Sequence, residues 1–134
     1  MKAYFGRRST LSASHRLHSE ALSAEENRAA YGKCNNPHGH GHNYVVEVLV
    51  GGEVDEATGM VMNLVDLDRA VQQAILDRFD HANLNLDPVF QGQVPTTEVF
   101  TKVIFELLDK ALPAGSLDRV RVEETENNFF EMCR

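Results

Sequence analysis

Pro37-His38-Gly39-His40-Gly41-His42-Asn43-Tyr44-Val45-Val46-Glu47-Val48-Leu49-Val50 decides how the rest of this chain is read. From Tyr44 to Val50 the residues are mostly β-branched, which suits a pleated, half-buried surface. The run predicts a strand that stops at Gly51-Gly52. In the extended chain just before it, side chains two residues apart share a face, so His40 and His42 point the same way. The intervening glycines relieve crowding and let the backbone come close to a bound ion. Two imidazoles from one strand and a third from a neighbour would make a three-nitrogen site, which zinc accepts while keeping a fourth position open for chemistry.

The third ligand is expected from Ser12-Ala13-Ser14-His15-Arg16-Leu17-His18, with His15 at the end of the first strand. His38 and His40 have the same spacing as His40 and His42. The latter pair is preferred because it abuts the strand, and a rigid element positions ligands better than a loop. His38 is then a loop residue, and His18 a surface or pocket-lining one. On spacing alone, a flexible polar loop or a tract that binds metal adventitiously explains these histidines equally well.

Working outward, the first fifteen residues are β-compatible with weak alternation, and residues 19–41 read as a long polar loop with a short helix near Ala21–Ala30. Loops of that length in a compact domain are usually functional. Asp55-Glu56-Ala57-Thr58-Gly59 reads as a turn, and a helix is expected to begin near Asp66 as its cap, with Leu67, Val71, Ala74 and Ile75 at helical spacing. A second helix follows Thr96-Thr97, buries Val99, Phe100, Val103, Ile104, Leu107 and Leu108, and ends at Pro113 and Gly115. Val120 and Val122 alternate with Arg119, Arg121 and Glu123 in a strand. Asn127-Asn128 suits a turn before a last strand, Phe129–Met132. The resulting order, ββααββ, predicts an α+β domain: a four-stranded antiparallel sheet with two helices on one face, spanning residues 1–134. Short terminal strands leave exposed edges, which such proteins often bury by oligomerising.

At 134 residues and a net charge of −7, the chain suits one domain with a real core and is a poor partner for nucleic acid, whose phosphates need a concentrated basic surface. It has no signal-like or membrane-spanning apolar run. Two cysteines, Cys34 and Cys133, give no disulfide framework, so a cytoplasmic setting is expected.

Ser12–Leu17 and Gly32–Tyr44 resemble the two signature segments of the 6-pyruvoyl-tetrahydropterin synthases. The resemblance runs on in collinear order through Thr58–Leu64, Leu76–Leu84, Thr96–Glu98 and Glu124–Asn128. It implies the tunnelling fold (T-fold), zinc on His15, His40 and His42, and a homohexamer built as a dimer of trimers with active sites between subunits. The implied reaction converts 7,8-dihydroneopterin triphosphate to 6-pyruvoyl-tetrahydropterin in tetrahydrobiopterin biosynthesis, eliminating triphosphate with no external redox cofactor.

The resemblance makes Cys34 the general base and Asp80-His81 its activating relay, because a free thiol with a pKa of about 8.5 needs a partner to act near neutrality. Glu124 becomes the anchor of the pterin and a participant in proton relay, and Thr96 and Thr97 line the pocket. Read without it, Cys34 is a small buried hydrophobe, Asp80-His81 closes a helix, Glu124 is a strand acid facing solvent, and Thr96 or Thr97 caps a helix. Arg16 and Lys33 stand nearby in the signature segments, but nothing in the sequence fixes the triphosphate contacts, and Cys133 has no corresponding role. The nearest rival is 6-carboxy-tetrahydropterin synthase of the queuosine pathway, whose cysteine-to-HGH spacing is shorter. That spacing is recovered only if the HGH is His38-Gly39-His40. The rival from another class is a non-catalytic pterin- or metal-binding protein. Two departures from the pattern are His38, where asparagine is usual, and the ending Phe129–Arg134.

Overall fold

The computed structural model describes all residues, 1–134. Strand β1 (Lys2–His15) and strand β2 (His40–Glu53) pair antiparallel along their whole length, from Lys2 opposite Glu53 to His15 opposite His40. The pairing sets the predicted third ligand directly across from the first. β1 fills the β-compatible first fifteen residues, and β2 is longer than the sequence pattern suggested. β2 takes in His40–His42 and runs on through Gly51-Gly52, where Tyr4 packs over the face that a Gly51 side chain would occupy.

Helix α1 (Ala24–Tyr31) lies in the long connection, entered through a capping box between Ser23 and Glu26. Helix α2 (Leu64–Val71) passes through a π-helical turn, Gln72–Leu76, into the short α3 (Asp77–Phe79). Its cap is Asn63, whose side chain accepts from the Val65 N–H at 2.8 Å; Asp66 sits within the first turn and instead pairs with Arg69. A capping side chain must sit just outside the helix to reach the free N–H groups, so Asn63 displaces the predicted cap.

Two-residue strand β3 (Ala82–Asn83) runs parallel to β1 at Ala13–Ser14. Helix α4 (Thr97–Ala111) is capped by Thr96. Strand β4 (Leu117–Thr125) pairs with β2, and β5 (Asn128–Cys133) with β4, giving the order β3-β1-β2-β4-β5. The expectation of a four-stranded antiparallel sheet is therefore corrected to five strands of mixed direction. The extra strand follows His81, whose φ of +63° turns the chain back along β1.

One face of the sheet, with Leu11, Ala13, Tyr44, Val46, Val48, Val50, Val120 and Val122, packs on Leu67, Ile75, Phe79, Phe100, Ile104 and Leu108. Each such side chain contributes about 1.5–3 kcal/mol on burial. Phe100 lies at the centre, its ring 5.3 Å from Tyr44 and 5.2 Å from Phe79. The other face carries ion pairs, Arg8 and Arg121 to Glu47 among them, and no helix. None of the helices is long and apolar enough to cross a membrane.

Candidate functional site

The core face of the sheet ends in histidines. Alternation along β1 puts His15 in line with Leu11 and Ala13, and alternation along β2 puts His40 and His42 in line with Tyr44. One ring nitrogen from each of the three lies within 4.8 Å of the others, and His15 is 1% exposed. The Nε2 atoms of His15 and His40 are 3.0 Å apart. His15 Nδ1 lies 2.8 Å from the Pro95 carbonyl, to which it donates, so its Nε2 carries the lone pair.

The donor set fits zinc. Burial is the largest influence on His15 and His40 and lowers both pKa values, which keeps the imidazoles neutral as ligands must be. His42 Nε2 and His40 Nδ1 are buried with no hydrogen-bond partner, and buried polar atoms are normally satisfied. Gly39, just before His40, has φ +74°, and a Cβ there would stand 3.1 Å from the His15 carbonyl oxygen. Only glycine combines that conformation with that approach. His38 is exposed, its backbone N–H bonded to Asn36, and it is not part of the cluster.

Glu124, on β4, comes within 4.0 Å of His42 Nε2. It accepts from the Thr97 hydroxyl and, at 3.2 Å, from Asn128 across the terminal hairpin. Burial pushes its pKa up, but these hydrogen bonds and the nearby histidines outweigh it and leave the carboxyl below its ordinary value. Thr97 is buried and tied to this carboxylate, whereas the Thr96 hydroxyl caps the Val99 N–H at 3.2 Å. The Tyr44 hydroxyl is buried beneath the site, and burial first, then Glu124, raises its pKa far above that of an ordinary tyrosine.

Cys34 is half-buried in the 3₁₀ turn Gly32–Asn35, whose carbonyl accepts from Leu17 N–H at 2.9 Å. Asn35 clamps that turn onto the segment after β1, donating to the Leu17 carbonyl at 2.8 Å. Asp80 and His81 pair with each other at 3.0 Å, and Asp80 accepts from the Ser12 N–H at 2.9 Å. They stand beside β1, where His81 borders a cleft with Ser12, Ser14, Gly41, Asn43 and Asn83, residues alternating with those of the histidine face. No hydrogen bond or ion pair joins Cys34 to Asp80 or His81 within one chain.

The structure thus gathers His15, His40, His42, Glu124 and Thr97, with no hydrogen bond or ion pair joining Cys34 or the Asp80-His81 pair to them. Tyr44, Pro95 and Asn128 join the site without having been predicted for it. Asn128 carried a signal, four residues after Glu124 across a turn; Pro95 contributes a backbone carbonyl, which no residue type announces.

The family model described as 6-pyruvoyl tetrahydropterin synthase matches residues 4–134. The chain is 54% identical over 129 residues to the human protein named 6-pyruvoyl tetrahydrobiopterin synthase, covering 96% of this chain and 89% of that one. The solved structure of Caenorhabditis elegans 6-pyruvoyl tetrahydropterin synthase superposes with a TM-score of 0.96 at 41% identity, covering 100% of this chain and 96% of that one. At 38% identity over 117 residues, an Archaeoglobus fulgidus protein named putative 6-carboxy-5,6,7,8-tetrahydropterin synthase also matches, covering 87% of this chain and 92% of its own.

Proposed function

Because the chain belongs to the 6-pyruvoyl tetrahydropterin synthase family, we propose that its three-histidine centre carries out that family's triphosphate elimination with zinc, on 7,8-dihydroneopterin triphosphate in the cytoplasm. The chain is an enzyme, a lyase forming 6-pyruvoyl tetrahydropterin. The observation that carries the assignment of the centre is the convergence of three imidazoles, two of them with an unpartnered buried nitrogen, within reach of a carboxylate.

His15, His40 and His42 would hold the metal. When bound, zinc supplies Lewis-acid stabilisation of the negative charge that develops on the substrate's side-chain oxygens. Glu124 accepts two parallel N–H bonds from the pterin ring, oriented by Thr97 and Asn128, and so fixes the side chain against the centre. Cys34 takes the proton from the carbon bearing the hydroxyl. His81, aligned by Asp80, receives the thiol proton and keeps the sulfur ready. Since no hydrogen bond joins Cys34 to His81 in its own chain, the relay is assigned to a neighbouring copy in a hexamer of two trimers. The exposed edge of β5 and the helix-free sheet face, with Tyr4 and Phe129 exposed, are the surfaces available for that assembly.

The 6-carboxy reaction would need the shorter cysteine-to-histidine spacing, with His38 as a ligand. The separation of His38 from the cluster favours the pyruvoyl product. Incubating the purified, zinc-loaded protein with 7,8-dihydroneopterin triphosphate tests this: 6-pyruvoyl tetrahydropterin and free triphosphate are expected, and acetaldehyde release would identify the carboxy activity instead. A protein that bound pterin and zinc without turnover would be the non-catalytic alternative.

A further inference from the structure

Along the core face of β2, Tyr44 is followed by Val46, Val48 and Val50, all four at most 1% exposed. Aliphatic side chains fill three of these places, so the phenol at the fourth needs a reason beyond packing. Its ring packs on Phe100 at 5.3 Å and stands 5.5 Å from the His42 ring, both edge to face. Its hydroxyl is buried with no partner in full hydrogen-bond geometry. A hydroxyl buried in that way costs stability that a phenylalanine would not.

Few polar groups surround that hydroxyl. Burial first, then the charge of Glu124, holds the proton on the Tyr44 oxygen, and the one hydrogen-bonding group that acts on it is the Thr97 hydroxyl. Thr97 has a single hydroxyl proton, which goes to Glu124 Oε2. Its oxygen can therefore accept from Tyr44 but has no proton to give it, so Tyr44 is the donor of the two. The other carboxylate oxygen, Oε1, accepts from Asn128 at 3.2 Å and stands 4.0 Å from His42 Nε2. Thr97 is itself held in place. It is 2% exposed in the first turn of α4, and its carbonyl accepts from the Thr101 hydroxyl at 2.6 Å.

We propose that Tyr44 is a positioning residue for ring recognition: its hydroxyl donates to Thr97 Oγ1, Thr97 donates to Glu124, and the carboxylate is thereby kept an acceptor on both oxygens. The inference rests on the function proposed above, in which Glu124 anchors the pterin, and adds the group that stands behind that anchor. A one-way chain of donors ending on a carboxylate admits a ring edge that offers two N–H groups. A ring with a carbonyl in place of the 2-amino group sets an oxygen lone pair against the carboxylate and is refused. Contacts of this kind tighten when a substrate is held, so the Tyr44–Thr97 contact closes as Glu124 takes up the ring.

The test uses Tyr44→Phe, Thr97→Val, Thr97→Ser and the double variant Tyr44→Phe with Thr97→Val, each as the full-length, zinc-loaded protein. It reads zinc content, thermal melting, kcat and KM for 7,8-dihydroneopterin triphosphate, and Kd for 7,8-dihydroneopterin and for its 2-oxo analogue. Tyr44→Phe is expected to keep its zinc and to weaken 7,8-dihydroneopterin binding roughly three- to tenfold, with the 2-oxo analogue little affected. Its KM should rise more than its kcat falls. The double variant should bind the pterin no more than about twofold worse than Thr97→Val, because both changes break one chain. Thr97→Ser, which keeps the hydroxyl, should keep the preference for the amino ring. A preference unaltered in Tyr44→Phe would overturn the role of Tyr44, and a raised melting temperature beside it would mark the hydroxyl as an unpaired core group only. Additive losses in the double variant would overturn it too, as would zinc loss or equal weakening of both rings in Tyr44→Phe. Equal affinity of the wild type for the two rings would instead sink Glu124 as the anchor.

Discussion

Single side chains carry the sharpest consequences. Cys34→Ala should retain zinc and pterin binding while losing about 10²–10⁴-fold in turnover, the usual worth of a positioned base; product formation in single-turnover assays checks it. Thr97→Val removes a hydroxyl that donates to a half-buried carboxylate, so Glu124 loses part of what holds its pKa down. The acidic limb of the kcat/KM profile should move to higher pH, with KM raised about tenfold. His15 and His40 contribute to the acid response of the metal-free protein. Their folded pKa values lie below the ordinary 6.5, so the unfolded chain binds more protons as pH falls. Their contribution to stability is complete above about pH 6.5 and is lost progressively below it, down to the folded values. Thermal melts of the apo protein should therefore fall on acidification from pH 7 to pH 5, and substitution of His15 by Gln should flatten that dependence.

At the scale of elements, the reading from sequence succeeded where a pattern repeats and missed where one residue or a backbone group decides. The α4 stripe from Val99 to Leu108 and its Thr96 cap were legible because period and cap agree. Tyr44–Val50 was legible because β-branched residues dominate it, and it lies within β2. β1 was faint, since its first half is exposed and carries Arg7 and Arg8, which find Asp68 and Glu47 across the fold. β3 is two residues long, too short for any period, and depends on the left-handed turn at His81. The cap of α2 was misplaced because Asn63 and Asp66 are both capping residues, and only the structure shows which stands outside the helix. Asn63→Ala should accordingly cost about 1 kcal/mol in denaturant unfolding, and Asp66→Ala less than about 0.5 kcal/mol. Similar costs for the two would show that the helix starts later than Leu64.

For the molecule as a whole, the histidine site was readable as a spacing, but its third member became definite only through the β1–β2 register, which no spacing contains. The proposed relay is the reverse case: Cys34, Asp80 and His81 were readable as motifs, yet no hydrogen bond or ion pair links Cys34 to the other two within one chain. If neighbouring copies complete the site, mixing inactive Cys34→Ala and His81→Ala subunits after partial dissociation should restore a fraction of activity, since some sites in a mixed assembly receive both intact groups. No recovery, from an assembly shown by light scattering to contain both variants, would place the relay within one chain or remove it. The same measurement should give a mass near six chains of 15.0 kDa for the wild type.

The most direct measurement is the metal content of purified, zinc-dialysed protein by elemental analysis, for wild type, His42→Ala and His38→Ala. Three imidazoles from His15, His40 and His42 predict about one zinc per chain in wild type and His38→Ala, and almost none in His42→Ala. A folded wild type without zinc, or a His38→Ala protein that loses it while His42→Ala keeps it, would contradict the account.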